Sequence, residues 1–346
     1  MSETTRWNAA LIRYLVHHWG VRVIAYESDA AGTAHWNRYL TSGDSADLEE
    51  GFEGTKGSLA ETMEAEYLLE SLRAIQAELP EAERLRLTGY DIAVQPGTTM
   101  LALLDYLEQV APEEVADWIA RWDYRRVPFR EAAVAVEELL AQLDANRDAY
   151  VAIAGEPSWN AARIDAGNLR DGFNFLQHYA KGDFGTGNAT YREPGMIRNT
   201  EELASGLGEG ERLLLISHNL HCARRMPASG SRSIDESPAL GTHLARSETW
   251  GPQYAMIAQV YEHGQHNVAG APIELEDFDS IDESLAGSIE TVTDAPALLI
   301  GTDSTLVPMD ERIDLAPFGI SRKMGVPADQ YDAVLWVRDV SATDIR

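Results

Sequence analysis

Residues 211–222 read Glu-Arg-Leu-Leu-Leu-Ile-Ser-His-Asn-Leu-His-Cys, an aliphatic run that passes straight into two histidines. Leu213–Ile216 follows the turn-forming Gly208-Glu209-Gly210. A short, bounded aliphatic run of this kind suits a strand buried in a parallel sheet. His218 and His221 then fall just beyond its carboxyl end, on the edge of an open α/β sheet where ligands and catalytic groups gather. Two other runs end in the same way. Val21–Tyr26 finishes in Glu27, and Leu85–Leu87 passes through Thr88-Gly89-Tyr90 to Asp91. Three buried strands delivering Glu, Asp and two His to one rim predict a polar, catalytic site.

The rest of the chain fills in around those strands. Residues 6–19 have helical spacing and stop at Gly20, and residues 28–80 are acidic and polar in front, over Ser42–Gly57, then helical over 59–79 until Pro80. Thr99–Val110, Pro112–Arg121, Phe129–Leu143 and Trp159–Ala180 are amphipathic at 3.6-residue spacing, as is Tyr191–Gly206 with Pro194 in its first turn. Beyond the histidines, residues 227–238 read as a Ser-rich loop and Leu240–Ala245 as a helical turn. Tyr254–Tyr261, Ala297–Ile300 and Ala333–Val337 read as short strands. The pattern predicts one α/β domain spanning residues 1–346. Its central, mostly parallel sheet is flanked by helices, and a helical insertion over 99–180 caps the strand ends.

Composition narrows the function classes. The 346 residues carry 56 acidic against 28 basic side chains, a net charge of −28, and only Lys56, Lys181 and Lys323 are lysines. Acid spread this evenly with so little lysine points to a salt-adapted cytoplasmic protein of the kind found in halophilic archaea, where salt screens the self-repulsion. Nucleic acid and anionic membranes are excluded as partners, because both need basic faces. No apolar stretch approaches the roughly 18 residues that span a bilayer. The single Cys222 leaves no internal disulfide and no multi-cysteine zinc site. Phosphate-loop, dinucleotide-loop and nucleophile-elbow motifs are all missing, so a hydrolase built on this rim would use an activated water.

The candidate residues each have more than one reading. His218 and His221, at i and i+3, can serve as a general base near neutral pH, or as metal ligands with Glu27 or Asp91, or one can bond a carbonyl at the strand end. Glu27 ends a buried strand, so it needs a partner or a proton: it can orient or charge-stabilise a histidine, act as acid or base itself, cap a helix, or pair with Arg22 or Arg38. Asp91 can join the site or cap the following helix. Arg192 and Asn199, at i and i+7, share one helix face, which points either into the site or to solvent.

Taken together these stretches resemble the erythromycin esterase family over most of the chain. The opening helix and strand ending in Glu27, the Gly89-Tyr90-Asp91 strand end, Arg192-Glu193…Met196…Asn199, and Ser217-His218-Asn219-Leu220-His221 are all similar to the family's pattern. So is the block Leu240-Gly241-Thr242-His243-Leu244…Trp250-Gly251…Tyr254. The resemblance implies hydrolysis of a small-molecule ester, in resistance members the lactone of a macrolide, by a histidine-activated water with no cofactor or required metal. It makes Glu27, His218 and His221 the catalytic residues, and Asp91, Arg192 and Asn199 the substrate-binding ones. The family's Gly-Glu-x-x-His motif, whose histidine is its proposed general base, departs from this match: the chain opens at Met1-Ser2-Glu3, just after where that histidine would stand. A reading frame shortened at its start accommodates this. So does a member that works through His218 or His221, binds a metal with Glu27, or only binds its ligand.

Overall fold

Val21–Tyr26 (β1) is flanked in parallel by Arg86–Gly89 (β2) on one side and Arg212–Ile216 (β3) on the other, in the order β2-β1-β3. The computed structural model that shows this describes residues 2–55, 63–226, 235–268, 271–274, 285–307, 309–315 and 324–340. Tyr26 stands opposite both Gly89 and Ile216, so the three strands end at one level. Backbone bonding carries on past that level. The Glu27 N–H donates to the Ile216 carbonyl at 3.1 Å, Tyr90 to Tyr26 at 3.1 Å, and Asp91 to Ser28 at 3.0 Å. Val23, Ile24 and Ala25 are buried, as expected of a strand covered on both faces.

These strands belong to one of two compact units, formed by Gly20–Glu61 with Gln76–Ile216 and called here the parallel unit. Its first helices, α2 (Ala30–Ser42) and α3 (Ser45–Gly54), are additions to the sequence reading, α3 falling inside the acidic, polar stretch over 42–57. Each is started by an aspartate: Asp29 accepts from the Gly32 N–H at 2.7 Å, and Asp44 from the Ala46 N–H at 2.9 Å. Their buried faces are sparse in sequence but bulky in space, formed by Trp36, Tyr39, Leu40, Leu48 and Phe52.

The helix-rich stretch follows its predicted outline with one addition. Pro96–Val110 (α5), Val115–Trp122 (α6), Phe129–Ala145 (α7) and Glu156–Tyr179 (α9) match the four periodic segments, and Arg147–Ala154 (α8) is a helix of its own. They enclose a core around Leu103, Trp122, Val136, Leu139, Leu169 and Phe173. Two bonds tie this core to the chain beyond the strands. The Ala93 N–H donates to the Asn168 carbonyl at 3.2 Å, and Thr99 Oγ1 donates to Asp29 Oδ1 at 3.3 Å. Phe184–Gly187 (α10) and Glu193–Ser205 (α11) complete the unit. Pro194 has no N–H to give the helical ladder, and the turn before it, Asn188–Arg192, is wound wide as a π-type turn.

The second unit, formed by Met1–Trp19, Thr62–Ile75 and Ser217–Arg346, is built on a mixed sheet. Ile257–Val268 (β4) runs parallel to Ala333–Val340 (β9), while Ala271–Glu274 (β5) and Ala297–Gly301 (β6) add antiparallel strands, in the order β5-β4-β9-β6. Thus the three later strands of the sequence reading form a second sheet, separate from the parallel one. Ser2–Trp19 (α1) packs on β9 and buries Ala9, Ile12 and Val16, a helical stripe. Met63–Glu78 (α4) is the helix expected over 59–79; its residues 59–62 lie outside the described residues, as do 227–234 of the Ser-rich loop. Asn219–Cys222 (α12), Leu240–Arg246 (α13), Leu285–Glu290 (α14) and Pro327–Gln330 (α15) are short, and Ile313–Asp314 (β7) pairs with Met324–Gly325 (β8). Among the described residues no helix is long and apolar enough to cross a membrane.

Candidate active site

In the parallel unit, the strand ends assemble a buried ionic cluster around one arginine. Arg192, presented by the wide turn before α11, donates from Nη2 to Glu27 Oε1 at 2.8 Å. The same guanidinium grips Asp91, from Nη2 to Oδ2 at 2.6 Å and from Nε to both carboxylate oxygens at 3.0 and 3.1 Å. The side chains of Glu27 and Asp91 are 7% and 1% exposed and that of Arg192 is 15% exposed, so the charges are largely desolvated. Burial works against the charge on Arg192, but Asp91 and Glu27 outweigh it and hold the guanidinium protonated far above working pH. Glu27 pairs with Arg192, while Arg22 bonds Glu83 and Arg38 bonds Asp47. Asp91 does not cap the following helix, which begins at Pro96.

Asn199, on α11, reaches the same strand end as Arg192. Its Nδ2 donates to the Tyr90 carbonyl at 3.1 Å and to Asn168 Oδ1 at 2.9 Å. Arg198 adds a bond to Asn168 Oδ1 at 2.9 Å and another to Asp171 Oδ2 at 2.9 Å. Asp29, absent from the sequence candidates, is buried beside this cluster. Burial pushes its carboxyl up, the Gly32 N–H draws it partly back, and the neighbouring charge of Asp91 raises it further, to about 6. A Ser-Asp pair directly before a helix was the signal that could have found it.

The histidines stand in the mixed unit. The chain leaves β3 at Ile216, and His218 follows two residues later. The His221 N–H donates to the His218 carbonyl at 3.0 Å, which closes the turn of α12, and the two rings lie 6.3 Å apart with planes at 65°. His221 is buried and His218 half-buried.

Neutral hydrogen bonds and close packing hold this turn in place. Asn219 pairs with β4 as another strand would: its Nδ2 donates to the Gln259 carbonyl at 2.7 Å, and its Oδ1 accepts from the Gln259 N–H at 3.3 Å. Tyr254 Oη donates to the Cys222 carbonyl. That carbonyl also lies where a side chain at position 241 would be, 2.1 Å from a Cβ built on Gly241, so only glycine fits there. Thr242 Oγ1 accepts from the Met226 N–H and donates to the Met226 carbonyl, both at 2.7 Å. Gly241, Thr242 and Tyr254 of the Leu240–Tyr254 block thus support the segment that carries the histidine turn.

Among the described residues, one group has ligand atoms gathered closely enough for a metal ion: His35, Asp47 and Glu50, within 4.8 Å of one another. Arg38 already supplies this group with a cation through its bond to Asp47 at 2.9 Å.

A family model described as erythromycin esterase matches residues 16–340, and the chain belongs to that family. No curated protein matches the sequence. Among solved structures, the chain is similar to a succinoglycan biosynthesis protein, at 15% identity and a TM-score of 0.73, covering 100% of this chain and 86% of that one. It is equally similar to a Bacillus cereus protein, at 15% identity and a TM-score of 0.73 over 99% and 87% of the two chains. An erythromycin esterase mutant, EreC in its open conformation, matches at 15% identity and a TM-score of 0.71, over 99% of this chain and 88% of that one. At these identities the shared feature is the fold.

Proposed function

We propose that this member of the erythromycin esterase family hydrolyses a small-molecule carboxylic ester or lactone, using a water molecule activated by a histidine of the His218–His221 pair. The observation that supports this most is Arg192 joined to both Glu27 and Asp91 in a nearly dry setting. It stands at the strand level from which the chain passes, after Ile216, into the histidine turn. An ionic cluster this well desolvated is a costly construction, and costly buried charge is concentrated where chemistry needs it.

In the proposed reaction a neutral imidazole takes a proton from water as the water oxygen bonds to the carbonyl carbon. The carbonyl oxygen becomes an oxyanion. When the tetrahedral intermediate collapses, the ester C–O bond breaks and the leaving oxygen takes the proton from the imidazolium. Glu27 holds the Arg192 guanidinium in place through its ion pair. Arg192 Nη1, which has no bond among the described residues, donates to the oxyanion, and Asn199 fixes the backbone beside Asp91. A macrolide lactone is the first substrate to try, by likeness to the relatives that carry the erythromycin esterase name.

Hydrolysis of p-nitrophenyl butyrate and of a macrolide lactone, followed by absorbance and by mass, tests this. His221→Ala and Glu27→Ala should each lower kcat/KM by about 10²–10⁴-fold with an unchanged circular dichroism spectrum. Parent-like rates in both variants would dismiss these assignments, and a parent that binds either ester without turning it over would dismiss the hydrolase reading.

A further inference from the structure

The parallel unit contains a cavity of about 1230 Å³ whose described lining includes none of Glu27, Asp91 and Arg192. Its walls are largely apolar and include Met100, Leu104, Trp122 and Ile164. Leu101 and Ile119, also on the lining, are 63% and 45% exposed, large apolar groups that the fold leaves uncovered. Asp165 of α9 lines the same cavity, and its carboxylate makes no hydrogen bond or ion pair among the described residues. Burial, with the charge of Asp29 added, holds that carboxyl up at about 7. A half-buried acid without a counter-charge is a destabilising arrangement that a bound cation would relieve. Exposed Glu49, Glu50, Glu53 and Glu202 line the cavity too, against Arg38 and Arg125, so its field favours a positive guest. Arg38 is already engaged by Asp47.

The geometry points to a second ligand site in this cavity, one that takes an amphipathic organic cation with its ammonium group against Asp165 and its apolar body along Leu101, Leu104 and Ile119. A mostly apolar wall with one convergent polar group is the usual construction of a small-molecule site, and the cavity is large enough for a drug-sized ligand. An inorganic cation would leave the apolar walls unused, and a neutral ligand would leave Asp165 unpaired. The cavity shares Asn199 with the proposed hydrolase site, but the inference does not rest on the hydrolase reading, because the histidine turn and the Arg192–Glu27–Asp91 ion pairs are not on its lining.

Titration calorimetry with octyltrimethylammonium, below its micelle concentration, tests it against octanol as the uncharged companion. The measurement is made in low salt at about pH 8.5, where a carboxyl that titrates near 7 is ionised. The cation should saturate a single site and bind at least about tenfold more tightly than octanol. Asp165→Asn should bring the cation down to the octanol level while leaving octanol unchanged, and Leu101→Arg, on the exposed part of the lining, should weaken the cation at least about threefold. Equal affinities for the two probes would overturn the inference, and so would full cation affinity in Asp165→Asn or, if that variant does not fold, in Leu101→Arg. His221→Ala should bind the cation as the parent does, whether or not ester hydrolysis is found, so the two readings fail separately.

Discussion

The Arg192 cluster and the histidine turn are held by opposite kinds of force. At the first, one guanidinium serves two carboxylates with side-chain exposures of 7% and 1%, and charge does the fixing. At the second, an asparagine amide, a tyrosine hydroxyl, a threonine hydroxyl and a missing side chain at Gly241 contribute neutral bonds and close packing. Desolvated charges give a strong field but hold only while every partner is present. Neutral bonds give a fixed position that is nearly indifferent to pH and salt.

The contrast can be broken most forcefully at its charged end. Arg192→Met strands two buried carboxylates, and chemical denaturation should show about 3–5 kcal/mol of lost stability, an amount that leaves little fold to assay. At the turn, Gly241→Ala must displace the Cys222 backbone, which should cost about 2–3 kcal/mol by the same measurement, with His221 moved and ester turnover lost. Stability changed little by Gly241→Ala would mean the turn is softer than its packing implies.

Asp29→Asn should act in the opposite direction. Asparagine caps helices as well as aspartate does, and it removes a carboxyl that burial and Asp91 raise from 3.8 to about 6. Because the folded chain keeps that proton to higher pH than the unfolded chain, the parent loses stability from this group as pH rises from 3.8 to 6, and nothing further above 6. The variant should therefore match the parent near pH 4 and exceed it by about 2–3 kcal/mol at pH 7, read as melting temperature against pH. A gain that does not change with pH would show that the group is not ionised at a cost in the native state.

Tyr254→Phe sharpens the comparison from the neutral side. Burial, with Cys222 adding to it, raises the Tyr254 hydroxyl well above its ordinary value, so it remains a donor throughout the working range. Its removal should cost about 1 kcal/mol, equally at pH 5 and pH 8. The smallest effect belongs to Arg198→Ala. That side chain is 46% exposed, and its partner Asp171 is also held by Arg170, so about 0.5 kcal/mol is expected, vanishing in molar KCl.

Much of this arrangement is legible in the sequence, and the illegible parts share a cause. β1 and β3 can be read because aliphatic runs bounded by glycine have few other uses, and their ends point to Glu27 and the histidines. α2 and α3 are hidden because small and acidic residues such as Ala30, Ala31, Gly32, Glu49 and Glu50 mask a buried face carried by a few large side chains. Arg192 is visible as a helix-face residue, but its link to Glu27 spans 165 positions, and only the parallel pairing of β1 with β2 brings Glu27 and Asp91 within reach of one guanidinium. The division of the strands between two sheets is also unreadable, since an aliphatic run carries no mark of which neighbour it will meet.

The Asn219 amide, bonded in both directions to the backbone of Gln259, gives the histidine turn a kinetic identity borrowed from β4. A segment of four residues would ordinarily fray on its own. Stitched to a strand that lies inside its sheet between β5 and β9, it can open only when that strand opens. Amide hydrogens of His221 and Gln259 should then exchange at matched rates, and Asn219→Ala should free the first while sparing the second.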